Sequence, residues 1–188
     1  MKDGDFVKID FVGKIKDTGD IFDLTKEDVA EKEGIKDPKK KYEPVLVIIG
    51  KNMTIPGVEK QLKDMNVGDE KKFDVKKEDA FGDRDFKNIK VVSESRFHKD
   101  KVNPVPGMFV DIDGKEARVQ SVANGRVRID FNHPLAGRTL EYDLKVVGKV
   151  ENPKDKALEI VSKYGMNMVI KDASIDDKGN LKLMIEKD

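Results

Sequence analysis

Residues Ile48–Gly82 read IIGKNMTIPGVEKQLKDMNVGDEKKFDVKKEDAFG, and this stretch decides the fold. The apolar run Val45–Ile49 leads into it as a buried strand closed by Gly50. After a turn, Pro56 opens a short helix, because a missing N–H is harmless at the first helical position and φ is already set there. Val58, Leu62 and Met65 follow at i, i+4 and i+7, which gives that helix one apolar face over 57–65. Gly68-Asp69 turns the chain into Lys71–Lys76, where Phe73 and Val75 alternate with charges as in a half-buried strand. Asp79-Ala80-Phe81-Gly82 then holds an aromatic in a turn.

Strand, helix, strand and aromatic turn occur in many small folds; the wording narrows the choice. T-I-P-G-V-E from Thr54, M-N-V-G-D-E-K-K-F-D-V from Met65 and D-A-F-G from Asp79 resemble the core of an FKBP-type peptidyl-prolyl isomerase. In that family the helix-opening segment forms the floor of a pocket and the aromatic turn one wall. A second match lies far downstream, at Asn132-His133-Pro134-Leu135-Ala136-Gly137 and at Leu140-Glu141-Tyr142-Asp143-Leu144. N-H-x-L-A-G before the last strand is similar to the SlyD-like, insert-bearing branch. The matches together cover residues 1–150.

Upstream, Val7, Ile9, Phe11 and Ile15 alternate with Lys8, Asp10 and Lys14, an antiparallel strand with one solvated face. It turns at Asp17-Thr18-Gly19-Asp20 and returns as Ile21-Phe22-Asp23. Residues 25–43 are charged; Thr25-x-x-Asp28 predicts a cap and Gly34 a stop for a short exposed helix. Beyond Gly82 the family pattern breaks off for about fifty residues rich in strand signals. Met108–Ile112, Lys115–Val122 and Arg126–Phe131 are divided by Asp113-Gly114 and Asn124-Gly125, strong two-residue hairpin turns. So much pattern is a small inserted domain rather than a loop. Leu140–Val150 is the last strand of the main sheet, with Leu140, Tyr142, Leu144, Val146 and Val150 on one face. Asn152-Pro153 then opens a helix with Ala157, Ile160, Val161 and Tyr164 in a stripe, followed by strands at Met166–Ile170 and Leu181–Ile185. Asp176-Asp177-Lys178-Gly179-Asn180 lacks the ligand spacing and closing Glu of a calcium loop and reads as the turn between them.

The expected architecture is therefore α+β. An FKBP-like curved antiparallel sheet over a short helix is built from 1–84 and 132–150. A β-rich insert-in-flap domain occupies 85–131, and a small α/β appendage 151–188, similar to the C-terminal extension of longer archaeal FKBP-type chains.

Composition bounds the function. Lys plus Arg and Asp plus Glu both number 37, so the net charge is zero and no overall field attracts nucleic acid or an anionic membrane. Charged residues make up 39%, against about a quarter usually, which with no Cys and no Trp leans towards a thermophile's ion-pair-rich surface. The absence of Cys excludes disulfides, thiol nucleophiles and Cys-based metal sites. MKDGDFVKID runs straight into a strand, so no leader is expected, and no apolar run reaches the ~20 residues of a membrane span. A cytoplasmic location is expected.

The resemblance also implies a site. Phe22, Val58, Phe81 and Tyr142 would surround a prolyl ring, with Phe11 in the place of a pocket tyrosine. The Ile55 backbone N–H would anchor a substrate carbonyl, and Asp23 would orient a backbone or substrate group. Val45, Leu135 and His133 are expected to bind substrate, His133 at the rim; in the insert, Val102, Val105, Met108, Phe109 and Val110 are expected to hold apolar segments of a substrate chain. Val58 where macrolide-binding members carry Trp, Phe81 for Tyr and Phe11 for Tyr point away from tight macrolide binding.

Such a site needs neither a nucleophile nor an acid–base pair. The peptide C–N bond resists rotation by about 18–20 kcal/mol through resonance, and twisting it lowers the amide dipole. A dry apolar pocket then favours the twisted over the planar amide. No cofactor and no metal are expected, and this C-terminus lacks the His-rich tail of SlyD-type proteins. The expected activity is X-Pro isomerisation in unfolded or partly folded polypeptides, with chaperone activity from the insert. The partners expected are such chains, and a second copy through 151–188, with no nucleic acid and no membrane. Two alternatives stand beside it: a holdase with an inactive or weakly active isomerase core, and a partner-specific assembly module.

Overall fold

The structure is a computed structural model that describes residues 1–99, 101–163, 170–175 and 181–185. Its elements begin with β1 (Phe6–Ile15), β2 (Ile21–Leu24), α1 (Glu27–Lys32), β3 (Val45–Ile48), α2 (Pro56–Lys63) and β4 (Glu70–Val75). Next come β5 (Ile89–Ser93), α3 (Ser95–Lys99), β6 (Phe109–Ile112), β7 (Lys115–Ala123) and β8 (Arg126–Asp130). The chain continues through β9 (Leu140–Val150), α4 (Pro153–Lys163), β10 (Ile170–Ile175) and β11 (Leu181–Ile185). It divides into two units, Met1–Ala80 with Thr139–Asp188, and Phe81–Arg138.

The first unit is built on a five-stranded antiparallel sheet in the order β2-β1-β9-β4, with β3 paired to β1 beside β2. β9 is its spine: Leu140, Leu144 and Val146 are fully buried, and Tyr142 is only 7% exposed. Val75 pairs with Leu140, so the chain leaves this sheet and returns to it at one end of the β4–β9 pair. α2 contributes Val58, Leu62 and the following Met65 to the core, the face its periodicity predicts. Pro56 stands in its first turn. Gly57 is required there, because a Cβ would overlap the side chain of Val75.

β1 departs from the expected single solvated face. Val7 and Ile9 are buried in step, but Val12, two residues on from Asp10, is buried as well. It packs with Leu24 and with Ala30 of α1, which covers the second face of the strand there. α1 is accordingly not a fully exposed helix. Nor does Thr25 cap it: the first helical residue follows Lys26, and no side chain caps the turn. Thr25 is buried instead, its Oγ1 accepting from the Phe11 N–H at 2.9 Å and donating to Asp10 Oδ1 at 2.8 Å. The expected stop at Gly34 does have positive φ, +68°.

α4 begins with Asn152 Oδ1 accepting from the Lys154 N–H at 2.9 Å, a side-chain cap followed by Pro153. Its Ala157 and Val161 are buried, while Ile160 is 36% exposed. It is tied to the sheet by Lys8–Glu159 at 2.5 Å and by Lys163 Nζ donating to the Leu46 carbonyl at 2.9 Å. β10 and β11 pair as a two-stranded ribbon. Met166–Val169 of the expected strand, Tyr164 and the turn at 176–180 lie outside the described residues.

The second unit is a four-stranded antiparallel sheet, β5-β8-β7-β6. Both hairpins form where the sequence places them. Asp113, Gly114, Asn124 and Gly125 all take positive φ, between +52° and +75°, as two-residue primed turns demand. Its core comprises Phe97, Val110, Ile112, Ala117, Val119, Val127 and Ile129. Asp130, 2% exposed, sits in a net of bonds from Arg84, from Gln120 Nε2 at 2.9 Å and from the Asn132 N–H at 2.9 Å. Burial pushes its pKa up, but the Asn132 N–H, the Arg84 guanidinium and the Asn132 side chain outweigh this, and the net shift is downward.

Candidate active site

The turn after β3 shapes the floor of a pocket. Gly50 takes φ +81° and Asn52 φ +52°, and the Gly50 N–H bonds to Glu59 Oε1, tying the turn to α2. Met53 bends back so that its Sδ accepts from the Ile48 N–H at 3.4 Å. The chain then reaches Ile55, extended at φ −66° and ψ 148°, just before the helix. The Ile55 carbonyl accepts from the N–H groups of Val58 and Glu59, at 3.0 and 3.1 Å. Its own N–H meets no acceptor among the described residues.

The pocket so formed has a volume of about 290 Å³. Val58, 1% exposed, closes its floor; Ile55, Met53 and Thr54 form one side and Val45, Leu46 and Val47 of β3 another. Phe11, Ile9 and Tyr142 of the sheet line it, with Asp23 and Lys163 as its charged members. The Tyr142 ring stands at the centre of an aromatic group. Its centroid lies 5.7 Å from that of Phe11, 5.8 Å from Phe22 edge-on, and 6.0 Å from Phe73 in a stack. Gly13 gives Phe22 its place, since a Cβ there would approach the ring to 2.5 Å. Thr25 holds Phe11 by both backbone groups, its N–H donating to the Phe11 carbonyl at 2.9 Å.

Asp23 is oriented by two donors. Its Oδ1 accepts from the Leu24 N–H at 2.9 Å and from Lys40 Nζ at 2.5 Å. Burial, and secondarily the Asp23 charge, push the Tyr142 hydroxyl up to about 12. The pocket therefore holds a neutral phenol across the physiological range. The same shift links to stability. The unfolded tyrosine ionises near 10, so this contribution is intact below that pH and is lost as pH rises through about 12. Two units correspond to roughly 2–3 kcal/mol. Tyr142→Phe should consequently lose less stability than the parent between pH 9 and pH 11.5, measured by urea unfolding at each pH.

Of the residues expected at the site, Phe11, Asp23, Ile55, Val58, Tyr142 and Val45 line this one pocket, and Phe22 packs on Tyr142 behind it. Phe81, His133 and Leu135 belong to the second unit. There the Phe81 and His133 rings stack with centroids 4.0 Å apart and planes 4° from parallel, and the Leu135 N–H donates to His133 Nδ1 at 3.2 Å. Sequence reasoning passed over Met53, Thr54 and Leu46, which neighbour the matched motif, and Lys163, which stands far from it.

In the second unit Val102, Met108, Phe109 and Val110 line a cavity of about 540 Å³ beside β6, with Arg96 and Asp113 paired at its edge. Val110 is also part of the core at 8% exposure, whereas Met108 and Phe109 are 36% and 49% exposed. Val105, 50% exposed, is not part of this lining. Among the described residues no cluster of His, Asp and Glu is arranged to hold a metal, and no helix is long and apolar enough to cross a membrane.

Comparison with known proteins gives two family matches. Residues 1–98 match the FKBP-type peptidyl-prolyl cis-trans isomerase family, and residues 90–135 match the family described as FKBP26, IF domain. A short-type peptidyl-prolyl cis-trans isomerase of Methanocaldococcus jannaschii is 34% identical over 146 residues, 78% of this chain and 92% of that one. The FKBP-type isomerase SlyD of Helicobacter pylori is 31% identical over 119 residues, 62% of this chain and 64% of its own. The FKBP-type 16 kDa isomerase of Escherichia coli K12 is 31% identical over 109 residues, 55% of this chain and 72% of that protein.

Proposed function

Because this chain belongs to the FKBP-type peptidyl-prolyl cis-trans isomerase family, we propose that the pocket over Val58 is where it turns over X-Pro bonds. The activity is peptidyl-prolyl isomerisation and the substrates are proline-containing polypeptides. The observation that carries the site assignment is an apolar pocket with one unused backbone donor, the Ile55 N–H, at its edge. A prolyl ring seated against Val58, Phe11 and Tyr142 leaves water behind, while a substrate carbonyl takes the Ile55 N–H. The twisted amide, with its smaller dipole, loses less solvation in that environment than the planar one, and the barrier falls by the difference. Asp23, fixed by Leu24 and Lys40, sets the field beside the Tyr142 hydroxyl.

The remaining assignments divide the chain by task. We assign isomerisation to 1–84 with 132–150, chain binding to 85–131 and assembly to 151–188, and add Phe81 to the catalytic set and His133 and Leu135 to the substrate-binding set. The division of the structure after Ala80 and after Arg138 supports an inserted unit. β6 stands at the edge of its sheet, with a cavity of mixed polar and apolar lining beside it, which suits an extended chain added along the strand. Val102, Met108, Phe109 and Val110 would take that chain's side chains, Met108 adaptably, and the exposed Val105 would extend the surface. The decisive test pairs cis/trans isomerisation of a short X-Pro peptide with suppression of an unrelated protein's aggregation. Aggregation suppression without isomerisation would replace this reading by the holdase.

For 151–188 we infer self-association. Among the described strands β10 and β11 pair only with each other, and Met184 is 62% exposed. Light scattering should give a dimer for the full chain and a monomer for residues 1–150; two monomers would refute the assignment.

A further inference from the structure

α4 brings a cation to the pocket that the sheet and α2 do not supply. Lys163, the last residue of α4, lines the pocket opposite in sequence to everything else in it. It also lines a neighbouring cleft of about 290 Å³ with Glu43, Pro44, Glu159 and Ser162. Val45, Leu46 and Lys163 are common to both, so the pocket and the cleft adjoin where β3 meets the end of α4. β3 pairs with β1 alone among the described strands, and the Leu46 carbonyl takes its hydrogen bond from Lys163 Nζ at 2.9 Å.

That single bond uses one of the three donors of an ammonium. Two of the acids that line the pocket and the cleft are engaged elsewhere. Glu159, one turn earlier on the same helix, is bound to Lys8 at 2.5 Å, and Asp23 is bound to Lys40 at 2.5 Å. Glu43 lines the same cleft but makes no ion pair with Lys163, whose one partner among the described residues is the Leu46 carbonyl. Burial alone shifts the Lys163 ammonium, downward, with no carboxylate opposing it. The result is an ammonium with no carboxylate partner among the described residues, on the lining that the pocket and the cleft share.

We propose that Lys163 is a specificity-determining residue, which binds an acidic side chain adjacent to the target proline and so gives the enzyme a preference for Glu-Pro or Pro-Glu segments. The inference rests on the pocket assignment above. A carboxylate there meets the ammonium donors that no described residue takes up, in a partly desolvated cleft, whereas a lysine at the same place meets a like charge.

The test compares short peptides that differ only in Glu, Gln or Lys, placed directly before or directly after the proline. With the full-length protein at low ionic strength, kcat/KM for the Glu peptide should exceed that for its Lys twin by about threefold or more, carried by KM. Lys163→Met should bring that ratio to about one, and Lys163→Arg should keep it above one. Lys156→Met, which removes a charge from the same helix over the Phe6 ring, should leave the ratio as in the parent. A ratio unchanged in Lys163→Met overturns the proposal. So does an equal loss for both peptides, which would make Lys163 a prop for α4 or a contact for the substrate backbone. Absence of turnover on every peptide by the parent protein would instead remove the pocket assignment, and this inference with it.

Discussion

Tyr142→Ala should lower kcat/KM on a short X-Pro peptide by about tenfold or more, and Asp23→Ala by several-fold. Tyr142 is 7% exposed and touches Phe11 and Phe22, so its loss opens a buried wall of the pocket and unseats its neighbours. Aromatic pairs contribute about 0.5–1.5 kcal/mol each beyond burial, and about 1.4 kcal/mol of lost transition-state stabilisation is tenfold in rate. The truncation also costs about 3–5 kcal/mol of stability, so folding must be verified by circular dichroism at the assay temperature. Tyr142→Phe keeps the ring and should retain most of the turnover, which separates loss of the wall from loss of the hydroxyl. Asp23 is half exposed and serves no core, so its replacement tests the site without that burden. Unchanged turnover in both Asp23→Ala and a folded Tyr142→Ala would remove the pocket from the mechanism and favour the holdase.

What the chain reveals before it folds follows from how local each cause is. α2 is legible because Pro56 and the spacing of Val58, Leu62 and Met65 act within three turns, and all three side chains are buried. The primed turns at Asp113-Gly114 and Asn124-Gly125 are legible for the same reason, since two adjacent residues carry the whole geometry. Val12 and Thr25 are not. Both look like ordinary members of an alternating strand and a capping motif until α1 lands on β1, when Val12 becomes core and Thr25 becomes the clamp on Phe11. Val45 opens an apolar run yet is 38% exposed, because at the edge of the sheet it lines an open groove rather than the interior.

The site divides along the same line. Phe11, Asp23, Ile55, Val58 and Tyr142 come from four separate segments, and periodicity alone cannot bring them together; the family resemblance did that. Lys163 lay beyond even that signal. In sequence it is one of many surface lysines at a helix end, where a cation suits the dipole. Only the docking of α4, through Lys8–Glu159 and the Leu46 carbonyl, makes it a pocket residue. A charge-rich composition hides such a residue, because 37 basic side chains give no reason to single out one.

Replacing residues 85–131 by a short Gly/Ser linker should leave short-peptide isomerisation within a few-fold of the parent, yet slow catalysis of proline-limited refolding of a whole protein by about tenfold or more. The base of the insert can survive the exchange, because it ties itself. The Gly137 N–H donates to the Gly82 carbonyl at 2.8 Å, and Phe81 stacks on His133 at 4.0 Å, all outside the segment removed. The linker therefore joins two ends already held together, and the closure cost depends only weakly on its length. What is lost is β6 with its open edge, Met108, Phe109 and the cavity they line. A weak chain-binding surface tethered to a prolyl pocket raises the local concentration of prolines there, by a factor of 10² or more for well-matched tethers. A tetrapeptide seated in the pocket leaves almost no chain for a second surface to hold and gains little from the tether. An unfolded chain held by the insert would gain from the tether; without the insert it would have to find the pocket by collision, while uncatalysed isomerisation runs over tens to hundreds of seconds. The comparison is made by refolding a protein limited by one trans-to-cis proline, at matched enzyme concentrations with and without the insert. Equal losses in both assays would mean that 85–131 maintains the pocket rather than gathers chains, and the division of labour between the two units would be wrong.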